Sequence, residues 1–489
     1  MRFGNVVLWV LIAVSTIAAA ASPSAGDAAA EPTAHAIERD DSVRLLIVAA
    51  PETIDGLDAF VAFKQARLGS VELIILDEAI NQGQQASLEF PDEYIDDPAR
   101  LKHYLFDRWK RDRITHVLLI GDADVLPVRY MVLDRITPAA FDYAFYPSDL
   151  YYADLAKADG SFDDWNGRKD DFHHRYFGEV RGEKNKDDPI NFDGIDYRPD
   201  IALGRWPVST AVEAQALAAK SMRYERALEE RPPDHGAPIA AVIAVGGWVD
   251  ARPNLDRFAS RIGSGWTIER RYYRDESAAE DAPPPPDEAQ LISLLNAGVD
   301  LIIHAGHGND NVWEQCLSVA TLEKIEPRNR LPIMFSVGCS TARFATLPPY
   351  EAYVDIHAAE HTGTNDGQVF TAPPPPPTAW VTGTHNRTGL GETFLRHPDR
   401  GCVAYIGCNT GSQPCALTLL DGFSIAMSRP REDGSAVRLG DCWSAAIAHY
   451  WEAENLATIK PDAGWYPASI FFQGMKFMLL GDPTLPLPR

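Results

Sequence analysis

The sequence predicts an α/β protein built on doubly wound, mostly parallel sheets with helices on both faces. Three observations carry that expectation. Short runs of Val, Ile and Leu recur along the chain with consecutive, not alternating, apolar positions, as strands buried on both faces require. Helical patterns stand between them as crossovers. After a Pro-rich linker, "RPPDHGAP" (231–238), the same pattern starts again.

The elements follow in order. "VRLLIVA" (43–49) reads as a strand and "LDAFVAFKQARLG" as a helix that stops at Gly69. "VELIIL" (71–76) is a second strand, "ARLKHYLFDRWKRD" a second helix, and "THVLLIGDADVLP" (115–127) a third strand. "DIALGRWP" (200–207) adds a strand. "STAVEAQALAAKSMRYERALEE" is a helix capped by Ser209 or Thr210, with Glu213 placed to complete a capping box. Beyond the linker, "IAAVIAV" (239–245), "DLIIHAG" (300–306), "PIMFSVG" (332–338), "CVAYIG" (402–407) and "MKFMLLG" (475–480) are strands. "DEAQLISLLNAG" (287–298) is a helix with Asp287 as its cap and Gly298 as its stop. The reading is two α/β halves, 43–230 and 238–489. An Asp-rich insert at 156–198 and a Pro-rich insert at 346–380 interrupt them.

The N-terminus has the form of an export signal. Arg2 precedes the apolar run "VVLWVLIAVSTIAAAA", and small residues offer a cleavage point near Ala21. The expected segments are a signal peptide at 1–21 and a linker at 22–42, with the mature protein periplasmic or extracellular. No later stretch approaches the roughly 20 apolar residues of a membrane span. A formal charge of −24 excludes a basic nucleic-acid surface. Six cysteines, an even number, would suggest disulfides in an exported protein; a catalytic thiol would leave five.

Chemistry concentrates in two stretches. In a parallel sheet, reactive groups collect at the carboxyl ends of strands. "DLIIHAGHG" brings His304 and His307 to one such end, and "LPIMFSVGCSTARF" brings Cys339 to another. Around "LSVATLEKI" the intervening chain is long enough for a helical crossover, so the two strands can be neighbours. A cysteine becomes a nucleophile at neutral pH beside a base or a positive field. The glycines permit close backbone approach and leave N–H groups free to face a substrate.

An apolar strand ending in "HG", a crossover, and an apolar strand ending in "GC" resemble the caspase-like cysteine peptidases. "GHGNDNVW", "FSVGCSTARF", "LLIGDADVLP", "SDLYYADL", "DIALGRWPVST" and "MLLGDPTLPL" are similar, in order, to motifs of the gingipain family and span most of 43–489. The resemblance implies an endopeptidase in which Cys339 attacks the peptide carbonyl and His307, the histidine set between glycines, moves the protons. It leaves His304 to packing or a hydrogen bond to the loop. It implies an oxyanion site at the backbone N–H groups of Gly308 and Cys339, and an orienting role for Asp200. Trp313 would wall the primary pocket or belong to the core. The acidic pocket group of the family has no clear counterpart, and Asp310 and Glu213 are the substitutes at hand.

No cofactor is expected for catalysis. Structural calcium is expected in "ADGSFDDWNGRKDDF" (158–172), where Asp159, Asp163, Asp164, Asn166, Asp170 and Asp171 supply hard oxygen ligands. The partners are protein or peptide substrates. Two rivals stay open: a transpeptidase on the same fold, and a binding or scaffold protein that keeps the fold without turnover. An α/β-hydrolase is disfavoured, because "VGCST" lacks the second glycine of a nucleophile elbow.

Overall fold

The apolar runs become the strands of one ten-stranded sheet. The structure is a computed structural model. It describes residues 43–86, 95–132, 145–165, 190–191, 194–231, 236–276, 279–370, 374–381, 388–429, 436–460 and 466–488. The expected signal peptide, the linker at 22–42 and most of the Asp-rich insert lie outside the described residues.

In chain order the strands are β1 (Arg44–Ala49), β2 (Ser70–Ile75), β3 (His116–Ile120), β4 (Ala202–Trp206), β5 (Ile239–Ala244), β6 (Thr267–Tyr272), β7 (Leu301–Ala305), β8 (Ile333–Ser336), β9 (Ala404–Cys408) and β10 (Phe477–Leu480). They lie side by side as β2-β1-β3-β4-β10-β9-β8-β7-β5-β6. All neighbours are parallel except β9 and β10, where Cys408 faces Phe477 and Tyr405 faces Leu480 in antiparallel register. The strands before and after the linker thus share one sheet, joined by the C-terminal strand, and run in opposite directions. One edge of the sheet therefore collects the carboxyl ends of β5, β7, β8 and β9 together with the amino ends of β4 and β10.

Both faces are covered. Leu46 and Val48 point into one apolar cluster, and Leu45, Ile47 and Ala49 into the other. The same split along β7 puts Leu301, Ile303 and Ala305 opposite Ile302. Burial on two faces leaves no room for a polar alternation, which is why these strands read as unbroken apolar runs.

The helix ends follow their capping residues. Thr210 and Glu213 form a reciprocal capping box at the start of the helix Ala211–Glu229. Asp287 accepts from Gln290 N at 2.8 Å, and Gly298, at φ 91°, closes the helix Glu288–Ala297. The crossover between β7 and β8 departs from expectation. It is the two-stranded ribbon Val312–Trp313 with Leu317–Ser318, followed by the 3₁₀ turn Val319–Lys324. No helix among the described residues is long and apolar enough to cross a membrane.

Candidate active site

β7 and β8 are neighbours in register, with His304 opposite Ser336. The pairing continues one step, as Val337 N donates to His304 O at 2.8 Å. Beyond it the two chains turn away from the sheet edge on glycines. A Cβ on Gly308 would stand 2.8 Å from Thr341 Cγ2 and 3.6 Å from Gly338 Cα. One on Gly338 would stand 3.3 Å from Gly306 O. Gly306 itself sits at φ 128°, where a Cβ would meet Val245 O at 2.4 Å. The loops after β5, β7 and β8 are nested backbone to backbone, and only glycine allows that approach. His307 lies between two of these glycines, and Cys339 directly follows the third.

The two histidines have opposite environments. His304 is fully buried. Its ring stacks on Trp313 at 4.4 Å with an interplanar angle of 1°, and Nδ1 is 2.9 Å from Ser336 Oγ. Burial drives its pKa down to about 3, so it is neutral at any working pH. A ring that cannot hold a proton cannot pass one on. His307 is half-buried, and its backbone N–H donates to Gly246 O at 2.9 Å.

The buried His304 also makes a stability prediction. Its folded pKa lies below that of the unfolded chain, so the unfolded chain takes the proton first. The stability it confers is present above about pH 6.5 and is lost as pH falls toward 3. Between pH 7 and pH 5 this group should remove about 2 kcal/mol, at about 1.4 kcal/mol per pKa unit. His304→Gln, whose amide can still reach Ser336, should flatten that part of the profile in denaturant titrations at the two pH values.

Cys339 is the half-buried thiol of the set, whereas Cys316, Cys402, Cys408, Cys415 and Cys442 are buried. Burial lifts Cys316, Cys402 and Cys408 to about 12 and Cys415 to about 11, which makes them inert filler. All six are free thiols, so the disulfides an even count would suggest do not form. Sγ of Cys339 accepts from Ser412 N at 3.3 Å, and its S–H faces Ser412 O at 3.6 Å. Ser340, next in the chain, is held at φ 55° with its N–H donating to Thr410 O at 2.6 Å. A left-handed serine is a strained position of the kind found at functional turns. Neither Gly308 N nor Cys339 N donates to a protein acceptor among the described residues. Two amide protons are thus available where the two loops meet.

Sequence reasoning misses one buried cation at this sheet edge. Lys476 precedes β10 and is buried, and its carbonyl accepts from Asn409 N at 2.9 Å. Burial lowers the Lys476 pKa, while the thiols of Cys408, Cys415 and Cys339 oppose that shift. A lone lysine inside the apolar run "GMKFMLLG" is the available signal, since buried charge is rarely accidental.

Several expected site residues stand elsewhere. Asp200 is on the correct sheet edge, but β4 lies four strand spacings from β7, about 19 Å at ~4.8 Å each. Its Oδ2 accepts from the N–H groups of Leu155 and Ala156, both at 2.8 Å, and burial pushes its pKa up to about 6. It fastens the 153–156 segment, and among the described residues no hydrogen bond joins it to His307. Trp313 has no exposed surface; its Nε1 donates to Tyr405 Oη at 2.9 Å, which makes it core and not a pocket wall. Asp310 pairs with Arg343 at 3.4 Å. Glu213 is consumed by its capping box.

The calcium ligands are only partly described, since Asn166, Asp170 and Asp171 lie outside the described residues. Asp159 accepts from Ser161 N at 2.9 Å, and Asp163 accepts from Trp165 N at 3.0 Å. Lys102, seated 4.9 Å from the Trp165 ring, already supplies positive charge beside Asp163 and Asp154. Among the described residues no group of three or more acidic, His or Cys side chains is assembled to hold a metal.

Such a fold, with a thiol and an imidazole on nested loops at one sheet edge, points to the cysteine peptidases. Residues 38–488 match the sequence model of Peptidase family C25, and the chain belongs to that family and is a cysteine-type peptidase. Solved structures agree in fold. The Arg-specific cysteine proteinase gingipain R (RgpB) is 13% identical with a TM-score of 0.55, covering 92% of this chain and 79% of the other. The complex of pro- and mature domains of Porphyromonas gingivalis RgpB gives 13%, 0.54, 91% and 79%. A structure described as a protease gives 16%, 0.53, 92% and 79%. No curated protein matches the sequence.

Proposed function

We propose that this chain is an exported cysteine endopeptidase that cleaves peptide bonds through a thioester on Cys339. The observation that carries the reading is the nesting of three glycine-lined loops at one sheet edge. Together they offer a half-buried thiol, a half-buried imidazole and two unclaimed amide protons.

The Cys339 thiol passes its proton to His307 as the sulfur attacks the carbonyl carbon, and the developing oxyanion is taken by the N–H groups of Gly308 and Cys339. The C–N bond breaks as His307 gives its proton to the departing amine. His307 then takes a proton from water as the water oxygen attacks the thioester, and returns it to the sulfur as the C–S bond breaks and the thiol is released. In this reading Ser412 N–H donates to the Cys339 sulfur at 3.3 Å.

A positional-scanning peptide library tests it. The wild type should cleave a subset of peptides. Cys339→Ala should cleave none, and iodoacetamide should label Cys339 with loss of cleavage in proportion. Rapid labelling of Cys339 with no peptide turned over would favour a binding protein instead. Calcium is a separate part of the reading. Adding it back to chelated protein should raise the melting temperature through the 158–172 segment, and an unchanged melting temperature would overturn that part.

A further inference from the structure

We propose that Trp248 and Val249 form the contact that receives an apolar side chain of the substrate beside the scissile bond. This rests on the peptidase reading above and names the class of residue that the site selects. Trp248 is 69% exposed and Val249 43%, an adjacent pair among the few large apolar side chains that the described surface leaves in water. An exposed tryptophan has a large flat face to bury, about 150–250 Å² in full, and such residues dominate recognition when they meet a partner.

Position ties this pair to the site. Both residues belong to the loop after β5. Gly246 in that loop accepts the backbone N–H of His307 at 2.9 Å. A Cβ on Gly247 would lie 3.3 Å from Gly306 Cα, so the chain entering Trp248 runs in contact with the chain entering His307. The far end of the loop is fixed as well. Arg252 binds Asp250 through Nε at 2.8 Å and Nη2 at 3.0 Å, and reaches Asp275 at 2.7 Å. Trp248 is therefore presented from an anchored backbone and needs little ordering on binding, which favours affinity.

Charge around the site agrees with an apolar preference. Asp250 is held by Arg252 and Asp310 by Arg343, so neither is a free carboxylate for a basic side chain. Glu314, whose N–H donates to His307 O at 3.1 Å, is exposed and is the acidic group that would argue for the opposite preference. The experiment must separate the two.

The test uses matched fluorogenic peptides that differ at one position next to the cleaved bond: Leu or Phe, Ala, and Arg. It compares wild type, Trp248→Ala and Trp248→Phe. For the Leu and Phe peptides, Trp248→Ala should lower kcat/KM at least about tenfold, mainly through KM, and Trp248→Phe should recover most of it. The Ala peptide should change by less than about threefold, and iodoacetamide should label Cys339 at the wild-type rate, which shows the site is still built. Equal losses on all peptides, no loss on the apolar ones, or a loss confined to the Arg peptide would overturn the contact while leaving the peptidase intact. A wild type that cleaves none of the peptides would overturn the peptidase reading and this contact together.

Discussion

Replacing His307 with Ala lowers kcat for peptide hydrolysis by roughly 10²- to 10⁴-fold, the range for loss of a positioned proton carrier. His304→Gln, three residues away, changes kcat by less than about threefold. The difference follows from where each ring sits. His304 lies beneath the site against Trp313 with no exposed surface, and burial keeps it neutral. His307 lies on the loop that abuts Gly338 and Thr341, on either side of Cys339 in the chain. Steady-state kinetics at pH 7 on one peptide, with iodoacetamide labelling as a check that Cys339 is still in place, measures both variants. Equal losses in the two would mean that His304 takes part in the chemistry.

Trp313→Ala destabilises the protein by about 3–5 kcal/mol, the cost of removing a large aromatic from a closed core. The side chain fills the space between His304 and Tyr405 and donates to the Tyr405 hydroxyl, so truncation opens a cavity and strands a buried polar group. Equilibrium denaturation reads this directly. A pocket wall would behave the other way: KM would rise while stability barely moved. Trp313→Phe keeps most of the packing and loses the hydrogen bond, so it should fall between wild type and Ala.

Much of this architecture is legible in the residues. Nine of the ten strands are legible as mainly apolar runs, most of them because they are covered on both faces; β2, at the opposite edge, exposes Ser70 and Glu72. The tenth, β6, does not stand out. Its residues "TIERRY" include Glu269, Arg270 and Arg271, charges that an edge strand tolerates and that discourage pairing with another chain. Strand order is not legible either, since no local pattern says that the C-terminal strand enters mid-sheet and runs antiparallel to β9.

That strand order decides where Asp200 stands. Its motif reads well, and it does reach the expected edge, but four strand spacings separate β4 from β7. Local residue types name the thiol and the imidazole because those depend on the few residues at the end of each strand. The orienting and pocket groups depend on which loops meet, and there the spacing of the chain is silent. Trp248 illustrates the same limit: nothing in "VGGWVD" announces that its loop will pack against the His307 loop.

The most direct measurement is mass spectrometry of enzyme quenched in acid during turnover of a peptide ester. The account predicts that the acyl half of the substrate is found on the peptide that contains Cys339, and that Cys339→Ala yields neither adduct nor product. An adduct on another residue, or undiminished cleavage by Cys339→Ala, would contradict it.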